Sequence, residues 1–94
     1  MSSEIYYINR SKIDGRYLVA HPNPDQNTSY ILLFKEYADA LTYLNKYATE
    51  MASQFAVESL PNTQLRNLIQ RWQFTGIAIV EDPLLPTINF VTVG

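Results

Sequence analysis

Tyr30 to Ala48 reads YILLFKEYADALTYLNKYA, and within it a short apolar run passes directly into an amphipathic helix. Ile31, Leu32, Leu33 and Phe34 form a continuous apolar run too short for a helix. Asn27, Thr28 and Ser29 bound it on the polar side. This pattern predicts a strand buried on both faces, and therefore central in its sheet. From Glu36 onward the period changes. Tyr37, Ala40, Leu41, Leu44, Ala48 and Met51 recur at three- and four-residue steps, which predicts one apolar helical stripe with Asp39, Thr42, Asn45, Lys46 and Thr49 turned to water. Tyr43 and Tyr47 fall at the border of that stripe, where a ring can lie on apolar surface while its hydroxyl stays wet.

The rest of the chain is arranged around this strand and helix. Ile5, Tyr6, Tyr7 and Ile8 favour a strand, Asp14-Gly15 offers a turn, and Arg16 to Ala20 (RYLVA) predicts a second strand, making a hairpin. His21 to Thr28 carries two prolines and reads as loop. After the first helix, Phe55 and Val57 predict a short strand ending at Leu60-Pro61. Asn62 or Thr63 is placed to cap a second helix whose stripe is Leu65, Leu68, Ile69 and Trp72, with Trp72 in the core. Gly76 separates that helix from a strand over Ile77 to Val80. Glu81-Asp82-Pro83 then forms a turn, and a final strand runs from Thr87 to Val93. The expected order is β-β-β-α-β-α-β-β: an α+β domain with a single mixed sheet of about five to six strands and two helices. Right-handed parallel crossovers are expected from the central strand onward.

Ninety-four residues make one α/β domain spanning 1–94. A chain of this size buries roughly 60 to 65% of its unfolded surface without needing disulfides or metal. The apolar fraction of 47% with 17% charged residues is that of a globular chain. A net charge of −2 gives no electrostatic reason to expect binding to nucleic acid or an anionic membrane, both of which need a cationic face. The start MSSEIYYINR has no export pattern, and no apolar run approaches the roughly 20 residues that span a bilayer, so a cytoplasmic location is expected. There are no cysteines, which excludes thiol redox chemistry and thiolate zinc sites.

Candidate chemistry is sparse. His21 is the only histidine, and it lies beside Pro22 without a nucleophile elbow. Glu81 and Asp82 are adjacent and so point to opposite sides of a strand. Asn23 to Asn27 offers oxygen ligands without the glycine and distal glutamate of a calcium loop. The three glycines are far apart, which removes phosphate-loop and dinucleotide motifs; no cofactor is expected. What stands out is seven Tyr, four Phe and one Trp in a small chain, a content typical of surfaces that become buried on association. Tyr43, Tyr47, Tyr6, Tyr7 and Tyr17 are the candidate interaction residues.

At DGRYLVA, YILLFKEYADALTYL and TGIAIVEDP the chain resembles small α/β modules of the enhanced-serine-sensitivity type. In the spacing from ILLF through Asp39-Ala40 to Phe55-Ala-Val-Glu58 it resembles an uncharacterised family of cyanobacteria and plastids. The resemblances cover about Tyr17 to Pro83 and carry over no catalytic residue. They imply a non-enzymatic accessory or interaction module.

The expectation is therefore a non-enzymatic protein-interaction or regulatory module with a protein partner, self-associating as a homo-oligomer through a sheet face or edge and the tyrosine border of the first helix. One alternative is an acidic inhibitor or immunity-type protein that masks a basic partner. Another is a small enzyme or shared-site subunit working through His21 or Glu81/Asp82.

Overall fold

The structure, a computed structural model, describes residues 4–23 and 25–92. Pro24 of the expected loop and Val93 of the expected last strand lie outside the described residues. Six strands and two helices follow one another: β1 (Ile5–Ser11), β2 (Val19–Ala20), β3 (Tyr30–Phe34), α1 (Tyr37–Tyr47), β4 (Phe55–Pro61), α2 (Leu65–Trp72), β5 (Gly76–Asp82) and β6 (Thr87–Thr92). A 3₁₀ turn over Thr49–Gln54 follows α1, and another over Asn62–Gln64 precedes α2. The strands form one mixed sheet in the order β4-β1-β3-β5-β6, with β2 paired to β3 off this path. β3 is central, as its uninterrupted apolar run requires, and Ile31, Leu32, Leu33 and Phe34 are all buried.

The alternation of β3 sends its side chains into two separate cores. Ile31 and Leu33 join Ile8, Leu60, Ile77 and Ile69 of α2. Leu32 and Phe34 join Ala78, Val80 and Ala40 of α1. The helices therefore lie on opposite faces of the sheet. The strand order explains this: β4 runs antiparallel to β1 and β1 antiparallel to β3, so β3, β4 and β5 all point the same way. The crossover through α1 moves toward one edge and the crossover through α2 moves back past β1 and β3. Two crossovers of one hand that travel in opposite directions must pass on opposite faces.

Asn9 of β1 is fully buried on the α1 face, where its Nδ2 donates to the Ala40 carbonyl at 3.4 Å and links sheet to helix. α1 ends sooner than its apolar period predicts. The helix stops at Tyr47, the backbone tightens into the 3₁₀ turn, and Met51 leaves the stripe and is exposed. Tyr37 and Leu41, also expected in the buried stripe, are exposed because α1 rests on the sheet along the narrower line Ala40 and Leu44.

The expected N-terminal hairpin forms only beside its turn, and beyond it the returning segment becomes a wedge between β1 and β3. Ser11 N–H donates to the Arg16 carbonyl and Leu18 N–H to the Asn9 carbonyl, and Arg10 and Tyr17 form a single bridge. The chain then bends at Leu18, and Val19 and Ala20 pair with Ile31 and Tyr30 of β3. β1 meets β3 at Tyr7 and Phe34, and Arg16 to Ala20 occupies the space between the two strands farther along. Neither Asn62 nor Thr63 caps α2. Asn62 N–H instead donates to the Glu4 carbonyl, and Gln64 holds the N-cap position without a side-chain hydrogen bond.

Candidate interaction surfaces

Eight residues of α2 reach only about 12 Å along the sheet, too little to cover its whole face. Ile69 is buried over the core while Leu65 and Leu68 pack at its border. Trp72 ends the helix and is 37% exposed rather than in the core as its place in the stripe predicts. The chain turns immediately after it: Gln73 adopts a left-handed conformation (φ 58°), and its N–H closes back onto the carbonyls of Ile69 and Gln70. Phe74 then stacks nearly parallel to Trp72 at 6.2 Å. Tyr17, delivered by the wedge, meets both rings edge-on, Trp72 at 5.1 Å and Phe74 at 6.4 Å.

Between this aromatic group and the edge strand β4 lies an open cleft of about 620 Å³. Ile8, Leu60 and Leu68 give it an apolar base, Tyr17 and Trp72 an aromatic wall, and Arg10, Glu58 and Arg71 its charge. Arg10 is held from three sides. Its Nε donates to the Gly15 carbonyl at 2.9 Å, its Nη1 lies 3.6 Å from Glu58 Oε1, and its guanidinium carbon sits 4.9 Å from the centre of the Tyr17 ring. Gly15 can present that carbonyl because it adopts φ +73°, a conformation costly for any residue with a Cβ. Arg71 forms no ion pair among the described residues. The cleft thus carries two guanidinium groups against one carboxylate in a chain that is acidic overall.

The five candidate tyrosines separate onto two faces. Tyr17 is in the cleft, and Tyr6 lies on the same face of the sheet with its hydroxyl donating to Glu4 Oε2 at 2.8 Å. That hydrogen bond, with the Glu4 charge behind it, raises the Tyr6 pKa. Tyr7 is on the α1 face, edge-on to Tyr37 at 6.1 Å. Tyr43 and Tyr47 do come together, 5.0 Å apart, but both have partners within the fold. Tyr43 packs on Phe34 at 5.4 Å, and Tyr47 donates its hydroxyl to the Leu84 carbonyl at 2.8 Å, joined there by Lys46 Nζ at 3.0 Å. This pair ties α1 to the β5–β6 turn.

The residues singled out for catalysis do not converge. His21 is exposed, with Nδ1 2.9 Å from the Thr28 carbonyl. Glu81 pairs with Lys35 at 2.8 Å and accepts from Asn89 Nδ2 at 3.1 Å, contacts that lower its pKa and raise that of Lys35. Asp82 Oδ1 accepts the N–H groups of Leu84 and Leu85 and shapes the turn. No group of three or more His, Cys, Asp or Glu side chains comes together among the described residues. No helix among them is long and apolar enough to cross a membrane.

The cleft was not legible in the sequence. Its residues come from β1, the wedge, β4 and α2, and of them only Tyr17 stands among the interaction candidates that composition suggests. No family model, curated protein or solved structure matches the chain.

Proposed function

We propose that the chain is a non-catalytic protein-interaction module that docks an extended peptide segment of a partner in the α2-side cleft. The observation that carries this is the grouping of exposed Trp72 and half-buried Tyr17 around a guanidinium already fixed in place, with Arg71 beside it. Tryptophan, tyrosine and arginine are the residues most enriched where binding energy concentrates, and a prearranged Arg10 loses little freedom when a ligand arrives. The charge balance favours a segment with a carboxylate next to an aliphatic or aromatic side chain, the former for Arg71 and the latter for the apolar base. An acidic masking protein would need a negative docking face, and the cleft has the opposite sign.

The test is selection of a displayed library of unstructured peptides on the purified protein. Binders should share an acidic residue beside an apolar one and should change the emission of Trp72, the sole tryptophan. They should lose at least about tenfold in affinity on Arg71→Glu, the scale of one charge-assisted contact. No enrichment, or binders indifferent to both Arg71→Glu and Trp72→Phe, would refute the cleft as the docking site.

A further inference from the structure

The two edges of the sheet are not alike. β4, at one edge, carries Glu58 and Pro61. Charge and proline on an outer strand discourage pairing with another chain. β6, at the other edge, has neither. Its sequence TINFVT contains no charge, no proline and no glycine, and four of its residues are β-branched. It pairs with β5 from Thr87 to Thr92, and among the described residues no other backbone hydrogen bond reaches it. Its outward N–H and C=O groups therefore form a strand template that no described residue pairs with. Each face of the strand exposes one large apolar side chain among uncharged polar ones. Phe90, 43% exposed, meets Tyr30 edge-on at 5.2 Å on the α1 face, and Val91, 45% exposed, lies on the α2 face.

We infer that β6 is a homodimer edge, at which a second copy of this chain pairs antiparallel with β6 to continue the sheet across a twofold axis. A copy suits this edge because an uncharged strand meets its own image without like-charge opposition, although the whole chain is acidic. Of the two carboxylates on the neighbouring end of β5, Glu81 pairs with Lys35, and Asp82, across from Thr87, accepts the Leu84 and Leu85 N–H groups. In such an isologous pair each exposed residue of one β6 meets residues of the same strand in its partner, so the Phe90 and Val91 rows continue on both faces. The assembly also closes at two. Pairing uses the one unguarded edge of each chain and leaves the two β4 edges, with Glu58 and Pro61, at the ends. The inference goes beyond the cleft and does not depend on it.

The experiment is light scattering on the full chain from low micromolar to about 1 mM, the range for a modest interface. Wild type should approach twice the 10.8 kDa chain mass. Thr87→Lys with Val91→Lys places like charges across the pair at two exposed positions. It should weaken dimerisation by at least roughly 100-fold, since like-charge contacts cost several kcal/mol. Ser59→Lys, on β4, should leave the dimer intact. A wild-type monomer throughout the range would overturn the proposal and leave the edge to a foreign strand. So would a dimer dissolved by Ser59→Lys but not by the β6 variant. If the β6 variant does not fold, amide exchange on wild type decides. Protection of outward β6 amides that grows with concentration supports the pairing, and its absence in a dimeric sample refutes it.

Discussion

Tyr43 lies half-buried between Phe34 and Tyr47, and burial, with a smaller contribution from Tyr47, raises its pKa above the ordinary value of 10.0. The consequence for stability has a definite sign. Below the unfolded value both states hold the phenol proton and stability is at its full level. As pH rises past that value the unfolded chain ionises first, so stability falls until pH has passed the folded pKa. Urea midpoints measured from pH 8 upward should therefore be flat to about 10 and then decline. In Tyr43→Phe the decline should be shallower by the Tyr43 share, because Tyr6 is shifted the same way. An unchanged slope would mean that Tyr43 is as solvated in the fold as in the unfolded chain. The sequence placed this ring at a helix border, which is where it lies. The further role of its neighbour Tyr47 in fastening the β5–β6 turn depends on a carbonyl thirty-seven residues away that no local pattern reveals.

Among the elements, β6 depends on one position in its neighbour. A Cβ built on Gly76 would overlap the Val91 carbonyl and crowd the Thr92 Cα. Both obstacles are backbone, so neither can rotate aside. Gly76→Ala should push β6 from β5 at its C-terminal end and destabilise the fold by about 1 to 3 kcal/mol, the range for overpacked interiors. Chemical denaturation would measure the loss. NMR shift changes should concentrate at Val91 and Thr92, and a variant as stable as wild type would show that the two strands have slack there. Gly76 reads in the sequence as a helix breaker, and its closer duty, admitting a neighbouring backbone, needs the strand pairing to be seen. The elements that local pattern predicts well are those with an unbroken signal. β3 shows itself by its apolar run, β5 by IAIV, and both helices by their stripes. Local pattern fails where tertiary contacts override it. Leu18 bends away from β1 because β3 offers a pairing partner, and Met51 leaves its stripe because the chain must turn toward β4. Trp72 is exposed because the sheet beneath it is already filled by Ile69 and Phe74.

For the whole molecule, charge separates the two proposed surfaces. The cleft would join its ligand through guanidinium groups, whereas β6 would join its copy through backbone groups and uncharged side chains. Raising ionic strength from about 0.05 to 0.5 M shortens the Debye length severalfold. The β6 dimer should respond by less than about twofold in Kd, while acidic peptides should leave the cleft measurably more easily. Titrations at both salt levels check this, and a dimer that dissolves in salt would point to an ionic contact rather than sheet pairing.

The placement of α1 and α2 on opposite faces has a geometric outcome for the paired molecule. A twofold axis that joins two β6 strands antiparallel stands perpendicular to the sheet, so it keeps each face on its own side. Both α1 helices would then look one way and both α2 clefts the other. With strands about 4.8 Å apart, the order β4-β1-β3-β5-β6 and its mirror put the clefts roughly 40 Å from each other on a single broad side. The dimer would be bivalent, a two-pronged gripper suited to a target that repeats its docking segment at that spacing. Such a target gains effective concentration from the second grip even where each cleft alone holds weakly.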